Sequence, residues 1–239
     1  MNQRTPVVLI TGASRGLGRA LVASFLRRGC PVLGLVRSQF HAEQLSRIHS
    51  QDFGPVVADV TSPELATALQ RAITARHGAL DVLINNAGTR GYLTSITQEP
   101  EPEVSELLAV HCIGALRATR VVLPFLRKSQ QGLVVNITSR FGSIARTAAG
   151  DFPGNRYSYS YRVAKAAQNM LTLCLSQELS HDGISVCAVH PGRLRTDSGP
   201  PDPELSAEEG AERLADWILA ADSSVNGGYF ELDSGRSQW

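Results

Sequence analysis

The chain has 239 residues, 43% of them apolar, and its 23 basic and 22 acidic residues leave a formal net charge of +1. This length and apolar content suit one α/β domain over residues 1–239, and the balanced charge argues against nucleic-acid or membrane surfaces. The start carries no apolar signal segment, and no stretch approaches the length of a membrane-spanning helix. Scattered cysteines without CxxC or His clustering predict buried, reduced thiols, no metal site and a cytoplasmic location; they are Cys30, Cys112, Cys174 and Cys187.

Apolar runs and helical patterns alternate along the chain. Residues 6–11 form a continuous apolar run that predicts a strand buried on both faces, and helical spacing follows from Gly16 to Gly29. The same patterns then predict strand 32–36, strand 55–58, helix 62–77, strand 80–84, helix 103–128, strand 132–137, helix 159–180, strand 184–189, helix 206–221 and strand 228–231. This order predicts a Rossmann-type, doubly wound parallel α/β sheet of about seven strands with helices on both faces, in three layers.

Two stretches interrupt this alternation, at residues 139–155 and 192–203. Both follow the carboxyl ends of predicted strands, and ligands bind at that edge of a doubly wound sheet. We therefore expect these two stretches to determine specificity.

Glycines concentrate in the turn between the first strand and the first helix. They permit a tight turn and a close approach to a pyrophosphate, which the helix N-terminus attracts through its free N–H groups. The flanking strand and helix favour a dinucleotide site over an ordinary tight turn. The predicted cofactor contacts here are Gly12, Ser14, Arg15, Gly16, Leu17 and Gly18.

Arg37 ends the second predicted strand, where folds that prefer NAD place a carboxylate for the ribose 2′-hydroxyl. Together with Arg15, its guanidinium suits the 2′-phosphate of NADP, so the sequence favours NADP(H) unless Arg37 is an ordinary surface arginine. The next two strand ends are expected to contact the adenine and the adenosine, although an ordinary turn explains each motif taken alone. These contacts are Asp59, Val60, Asn86, Ala87 and Gly88.

Three tyrosines alternate in the sequence YSYSYRVAK, and one of them has a lysine four residues later. Residues four apart lie on one face of a helix, so Tyr161 pairs with Lys165, whereas Tyr157 and Tyr159 have no such partner. A nearby ammonium is expected to lower the pKa of a phenol toward working pH. Tyr161 can then donate a proton to a carbonyl oxygen, which Ser139 at the end of strand 132–137 is placed to hold.

Taken together, these segments resemble the classical short-chain dehydrogenases/reductases in order and spacing. The motifs are Thr11-Gly12-x-x-x-Gly16-x-Gly18, Asn85-Asn86-Ala87-Gly88, Asn136-Ile137-Thr138-Ser139, Tyr161-x-x-x-Lys165 and Pro191-Gly192. A narrower resemblance is to the C-factor and sniffer-type carbonyl reductases. It rests on Gly142-Ser143-Ile144, Tyr159-Ser160-Tyr161-Arg162-x-x-Lys165, His190-Pro191-Gly192 with Thr196-Asp197, and the ending from Gly228 to Trp239.

The resemblance implies a role for each matching residue. Ser139 would polarise the carbonyl, Tyr161 would be the general acid, and Lys165 would bind the nicotinamide ribose. Further cofactor contacts are implied for Pro191, Gly192 and Thr196, which would close over the nicotinamide, and for Ile137 and Asn86.

Two features depart from the family pattern. His111 stands where the family has a catalytic asparagine in the long helix, and a histidine that titrates near neutrality either supports the proton relay or merely satisfies a backbone group. The interval from Ser139 to Tyr161 is unusually long. It is expected to form part of the substrate wall, with Phe152 or Arg146 at the substrate, or else to be surface padding that hinders assembly. A homodimer is therefore expected more firmly than a tetramer.

The sequence favours an NADPH-dependent reductase that converts a small-molecule aldehyde, ketone or quinone to an alcohol. The first alternative is a cofactor-binding sensor that has lost turnover, which His111 favours. The second is a nucleotide-sugar epimerase, but its glycine loop differs and it needs a longer segment after Pro191 than this chain provides.

Overall fold

A computed structural model describes residues 5–49, 52–92, 95–152, 158–196 and 202–239. The main feature is an eight-stranded sheet in the order β10-β9-β6-β5-β4-β1-β2-β3. Its strands are β1 Val8–Thr11, β2 Val32–Val36, β3 Phe53–Val57, β4 Val82–Asn85, β5 Gly132–Ile137, β6 Ile184–His190, β9 Tyr229–Glu231 and β10 Gly235–Ser237. Two short strands, β7 Leu194–Arg195 and β8 Leu205–Ser206, pair separately.

The helices lie between these strands. They are α1 Gly16–Arg27, α2 Gln39–Ile48, α3 Leu65–Arg76, α4 Glu101–Leu108, α5 Gly114–Leu126, α6 Ile144–Ala148, α7 Tyr159–Leu179 and α8 Ala207–Ala220. A five-residue π-helical segment, Ala109–Ile113, joins α4 to α5. All seven strands predicted from the sequence are present, as β1–β6 and β9, and they pair in parallel. This arrangement confirms the doubly wound fold class.

Each central strand is buried on both faces because helices cover the sheet on both sides. Val8 and Ile10 of β1 belong to one apolar cluster, with α1 and α8, whereas Leu9 belongs to the other, with α3, α5 and α7. This arrangement explains why the strands have continuous apolar sequences rather than alternating ones. It also leaves the carboxyl ends of the strands as the edge where loops gather.

Several elements lie outside the sequence prediction, among them the short strands β7 and β8. Helix α2 was not anticipated; the Ser38 hydroxyl caps it by accepting from the His41 backbone N–H at 3.4 Å. Strand β10 pairs antiparallel with β9 at the sheet edge. The interval 139–155 was expected to be a loop, but its described part contains a 3₁₀ turn, Arg140–Gly142, and the short helix α6. Residues 153–157, including Tyr157, and residues 197–201, including Asp197, lie outside the described residues.

Two expectations about burial and hydropathy were wrong. By length and composition alone, the run Glu101–Leu126 is long and apolar enough to cross a membrane, with a mean hydropathy of 1.4. Core helices of globular proteins meet the same criterion, and Ala118 and Val122 on this run are buried in the sheet's apolar cluster. The four cysteines are free thiols, as expected, but Cys174 is exposed and Cys112 half-buried.

Candidate active site

The glycine loop between β1 and α1 has the backbone that a dinucleotide cradle requires. Gly12 and Gly16 adopt left-handed φ values of +70° and +51°, which favour glycine. A Cβ on Gly18 would lie 2.2 Å from the carbonyl oxygen of Gly12, so no side chain fits there without moving the loop. Arg15 is exposed on this turn, Ser14 is half-buried, and Leu17 packs into the core below it. The cradle therefore fits a nicotinamide dinucleotide.

Thr11 and Asn86 fasten the loop after β4 to the glycine loop. The Thr11 hydroxyl accepts from the backbone N–H groups of Asn86 and Ala87, each at 3.0 Å. The Asn86 amide donates to the carbonyls of Thr11 and Gly12 at 3.0 and 3.2 Å. Asn86 thus stabilises the cradle through its side chain, and Thr11 is a supporting residue that the sequence analysis did not assign.

Gly18→Ala is expected to disrupt this cradle. The added methyl group collides with the Gly12 carbonyl, so the loop must shift away from its pyrophosphate-binding shape. We expect the dissociation constant for NADPH to rise at least about tenfold, with a loss of about 1–3 kcal/mol in stability, as overpacking typically costs. Isothermal titration and thermal unfolding measure the two effects. Gly29→Ala is the control for NADPH affinity: its left-handed φ of +73° also costs stability, but nothing lies within 4 Å of a Cβ there and the cradle is left intact. Equal loss of NADPH affinity in both variants would contradict the prediction.

Arg37 lies at the end of β2, exposed and close enough to Asp59 for its charge to act on that carboxylate. Burial raises the pKa of Asp59, but hydrogen bonds from the Thr61 N–H and hydroxyl, at 2.8 and 2.7 Å, and the charge of Arg37 together lower it. Asp59 is therefore ionised and held in place, and Val60 beside it is buried. Asp59 and Val60, the predicted adenine contacts, thus follow β3, and Arg37, the predicted phosphate contact, follows the neighbouring strand β2.

Ser139 and Tyr161 meet at the carboxyl edge of the sheet. Ser139 follows β5, is buried and forms a hydrogen bond with the Tyr161 phenol. Tyr161 is oriented by the start of α7, where the Ser158 hydroxyl accepts from the Tyr161 backbone N–H at 3.1 Å. Tyr159 precedes it on the same helix but is exposed. The structure therefore brings together two of the three residues expected to act on a carbonyl.

Lys165 lies one turn further along α7, with its Nζ 5.8 Å from the centre of the Tyr161 ring. Its ammonium donates to the Ile137 carbonyl at 2.6 Å and to Oε1 of Gln168 at 2.9 Å. Burial lowers the pKa of Lys165 to about 7 and raises that of Tyr161 to about 12, while the bond with Ser139 opposes the latter change. The expected lowering of the Tyr161 pKa by Lys165 was therefore wrong for this arrangement, because the ammonium is directed at Ile137 and Gln168.

Gln168 is a buried residue that sequence analysis missed. It lies on the same helix and faces Lys165, and below it a polar chain crosses the core. The Asn85 amide donates to Asn136 at 2.8 Å, and the Asn136 amide donates to the Thr172 hydroxyl at 2.8 Å. A Gln three residues after a lysine has no unique meaning in a sequence, but full burial of an amide requires such partners.

His111 lies on the π-helical segment, and its ring meets the Tyr161 ring edge to face with centroids 5.5 Å apart. Its Nε2 lies 2.8 Å from the Thr89 carbonyl, whereas its Nδ1 is buried without a partner among the described residues. Burial and the charge of Lys165 lower the pKa of His111 to about 3. The expected titration near neutrality was wrong, since the imidazole is neutral and anchors the Thr89 loop. Gly88 is needed there because a Cβ would lie 2.5 Å from its Cε1.

The loop after β6 covers the glycine loop. Pro191 is buried, and Gly192 has a φ of +93° that favours glycine. The Thr196 side chain packs on the glycine turn, with its Cγ2 3.3 Å from where a Cβ of Gly16 would lie. The closure of these residues over a cofactor stays a prediction.

The chain belongs to the short-chain dehydrogenase family, whose model matches residues 6–204. Members of this family are oxidoreductases that use nicotinamide cofactors. The resemblance inferred from the motifs is thereby confirmed.

The chain is similar in sequence or structure to several individual reductases and to one signalling protein. The chain is 32% identical over 198 residues to the 3-oxoacyl-(acyl-carrier-protein) reductase of Vibrio cholerae, covering 82% of this chain and 77% of the relative. It is 32% identical over 162 residues to the C-signal protein of Myxococcus xanthus, covering 68% and 94%. The NADPH-bound carbonyl reductase from chicken fatty liver has a similar structure, with a TM-score of 0.88, 27% identity and coverage of 99% and 100%. The carbonyl reductase Sniffer of D. melanogaster has a TM-score of 0.88, 25% identity and the same coverage.

Proposed function

We propose that this protein is an NADPH-dependent carbonyl reductase that converts an aldehyde, ketone or quinone to an alcohol, with Tyr161 as the general acid. The observation that carries the proposal is the hydrogen bond between Ser139 and Tyr161 at the sheet edge beside a glycine cradle. The structural similarity to the NADPH-bound carbonyl reductase from chicken fatty liver supports the same proposal.

Each residue of the site has a separate proposed role in the reduction. Ser139 hydrogen-bonds and polarises the carbonyl oxygen, and Tyr161 donates its proton to the same oxygen. A phenol with a pKa of about 12 is protonated at neutral pH, as an acid must be. Lys165, whose pKa burial lowers to about 7, binds the ribose of the cofactor through its amino group. The nicotinamide, when bound, supplies the hydride.

The choice of NADP(H) over NAD(H) rests on Arg37 and Arg15. Arg37 stands where a carboxylate would otherwise accept the ribose hydroxyls, and a guanidinium complements a phosphate through paired hydrogen bonds. The pyrophosphate would be held by the cradle of Gly12, Gly16 and Gly18. Thr196 would cover it from the opposite side.

NADPH oxidation against a panel of aldehydes, ketones and quinones tests the proposed function. A reductase consumes NADPH with at least one class of carbonyl. Tight NADPH binding without turnover of any of them would instead indicate a sensor, the alternative left open by His111.

His111→Asn tests whether the histidine belongs to a titrating relay. Because the pKa of His111 is about 3, its imidazole is neutral between about pH 5 and 9, and its removal takes away no titrating group in that range. We expect kcat to fall about fivefold, through loss of the Thr89 anchor worth about 1 kcal/mol, by the same factor at every pH. Steady-state pH profiles of both proteins measure this. A limb of the wild-type profile that disappears in the variant would show that His111 does titrate during turnover.

We also propose that the protein is a homodimer and, because its cysteines are free thiols, that it is cytoplasmic. The support for a dimer is a set of exposed apolar side chains on the π-helical segment and on α5 and α7, the two helices that this segment contacts; they are Ile113, Leu116, Val163 and Met170. Sedimentation equilibrium is expected to give a dimer, and Met170→Glu is expected to shift it to monomer. A wild-type monomer at micromolar concentration would contradict this arrangement.

A further inference from the structure

Arg140 directly follows Ser139 and is held against the catalytic residues by its own turn. It begins the 3₁₀ turn Arg140–Gly142, and a Cβ on Gly142 would lie 2.8 Å from the Cβ of Lys165, so this turn packs closely on α7. The Arg140 side chain is half-buried, with its guanidinium 5.8 Å from the centre of the Phe141 ring. Arg140 therefore carries a positive charge on the residue next to Ser139.

The neighbouring arginines have partners that Arg140 does not have. Arg146 donates to Asp151 at 2.8 Å and to Glu231 at 2.6 Å, which neutralise it. Arg162 donates to the Thr147 hydroxyl at 3.0 Å. Within the described parts of the chain, Arg140 has neither an ion pair nor a hydrogen bond from its guanidinium. Arg146, which was expected to contact substrate, is instead committed to the protein's own carboxylates.

The charge of Arg140 acts on His190, the last residue of β6, and on Tyr229 of β9. Burial is the main cause that lowers the pKa of His190 to about 4. The charges of Arg140 and Arg146 lower this pKa further, whereas those of Glu231 and Asp233 raise it. His190 immediately precedes Pro191 and Gly192, which lie over the proposed nicotinamide site. Arg140 thus directly follows Ser139 and lies within electrostatic range of the residue that precedes this loop. The neutral His190 adds no competing cation.

We propose that Arg140 binds a carboxylate of the substrate, so that the physiological substrate is an oxo acid whose acidic group lies a few bonds from its carbonyl. This inference rests on the proposed function and names the substrate class for the same site. One guanidinium fork complements one carboxylate, and its half-buried position strengthens the pairing. The edge-to-face pair of Phe141 and Phe152, with centroids 4.9 Å apart, provides an apolar surface next to this cation.

The test compares terephthalaldehydic acid with its methyl ester, which differ in the charge and the methyl group of one substituent. With NADPH saturating, we expect wild-type kcat/KM to be higher for the acid. Arg140→Met is expected to lower kcat/KM for the acid by roughly 10-fold to 100-fold, the usual value of a charge-assisted hydrogen bond, and to change it less than about threefold for the ester. Arg140→Lys is expected to retain part of the preference, because lysine keeps the charge but not the fork.

Arg71→Met is the matched control, since Arg71 is an exposed arginine on α3, far along the chain from these residues. Equal losses for acid and ester in Arg140→Met, or no loss, would overturn the inference. A binding measurement separates it from the proposed reduction: benzoate is titrated into the NADP⁺-loaded protein. Weaker benzoate binding by Arg140→Met than by wild type supports the carboxylate site even if no carbonyl is turned over. Absent or equal binding in the two proteins overturns it.

Discussion

Tyr161→Phe is expected to lower kcat for carbonyl reduction by about 10²-fold to 10⁴-fold, the range typical for loss of a general acid. The change removes one hydroxyl group and leaves the ring that packs edge to face against His111. NADPH affinity is expected to stay within about threefold of wild type, because the glycine cradle and Arg37 lie on other elements. Steady-state kinetics and fluorescence titration of NADPH measure the two quantities.

Tyr159→Phe is the natural control for this substitution. Tyr159 lies two residues earlier on α7 and is exposed, so it loses the same hydroxyl group without touching Ser139. Its turnover is expected to match wild type. Substantial turnover by Tyr161→Phe would remove Tyr161 from the role of acid, and a comparable loss in both variants would point to a general effect on α7.

Arg37→Asp is expected to reverse the cofactor preference. The substitution removes the guanidinium and places a carboxylate where it repels a 2′-phosphate and accepts hydrogen bonds from the two ribose hydroxyls. We expect kcat/KM for NADPH to fall about 100-fold, on the order of two charge-assisted contacts, while that for NADH rises or is unchanged. The ratio of the two values, measured with one carbonyl substrate, is the decisive quantity.

Arg47→Asp provides the comparison for Arg37→Asp, because Arg47 is an exposed arginine in the last turn of α2. It makes the same change in net charge away from the end of β2. If both variants, or neither, alter the cofactor ratio, Arg37 does not form the phosphate site.

The sequence was sufficient for the sheet because the central strands are buried on both faces and therefore carry uninterrupted apolar runs. Helix α2 is polar on average and buries only two residues, Ala42 and Leu45, so its sequence resembles a polar connection. Strand β10 is short and exposed, and its pairing with β9 depends on a turn rather than on apolar spacing.

At the candidate site, the spacing of residues along the chain predicted which side chains lie together. It did not predict the pKa shifts that set their protonation states. The four-residue spacing placed Tyr161 and Lys165 on one side of α7. The pKa directions depend on burial and on partners far away in sequence, such as the Ile137 carbonyl that accepts from Lys165. The pKa of His111 likewise depends on its surroundings, because burial and the charge of Lys165 lower it and keep the imidazole neutral. No pattern in the sequence predicted the π-helical segment Ala109–Ile113 that carries His111.

The central claim is that this site transfers hydride from NADPH to a carbonyl carbon. NADPH that carries deuterium at both C4 positions of the nicotinamide tests it directly, with mass spectrometry of the alcohol formed from a reactive carbonyl. The account predicts one deuterium on the former carbonyl carbon with wild-type protein, and almost none with Tyr161→Phe. NADPH bound with high affinity but no deuterated alcohol from any carbonyl class would contradict the account.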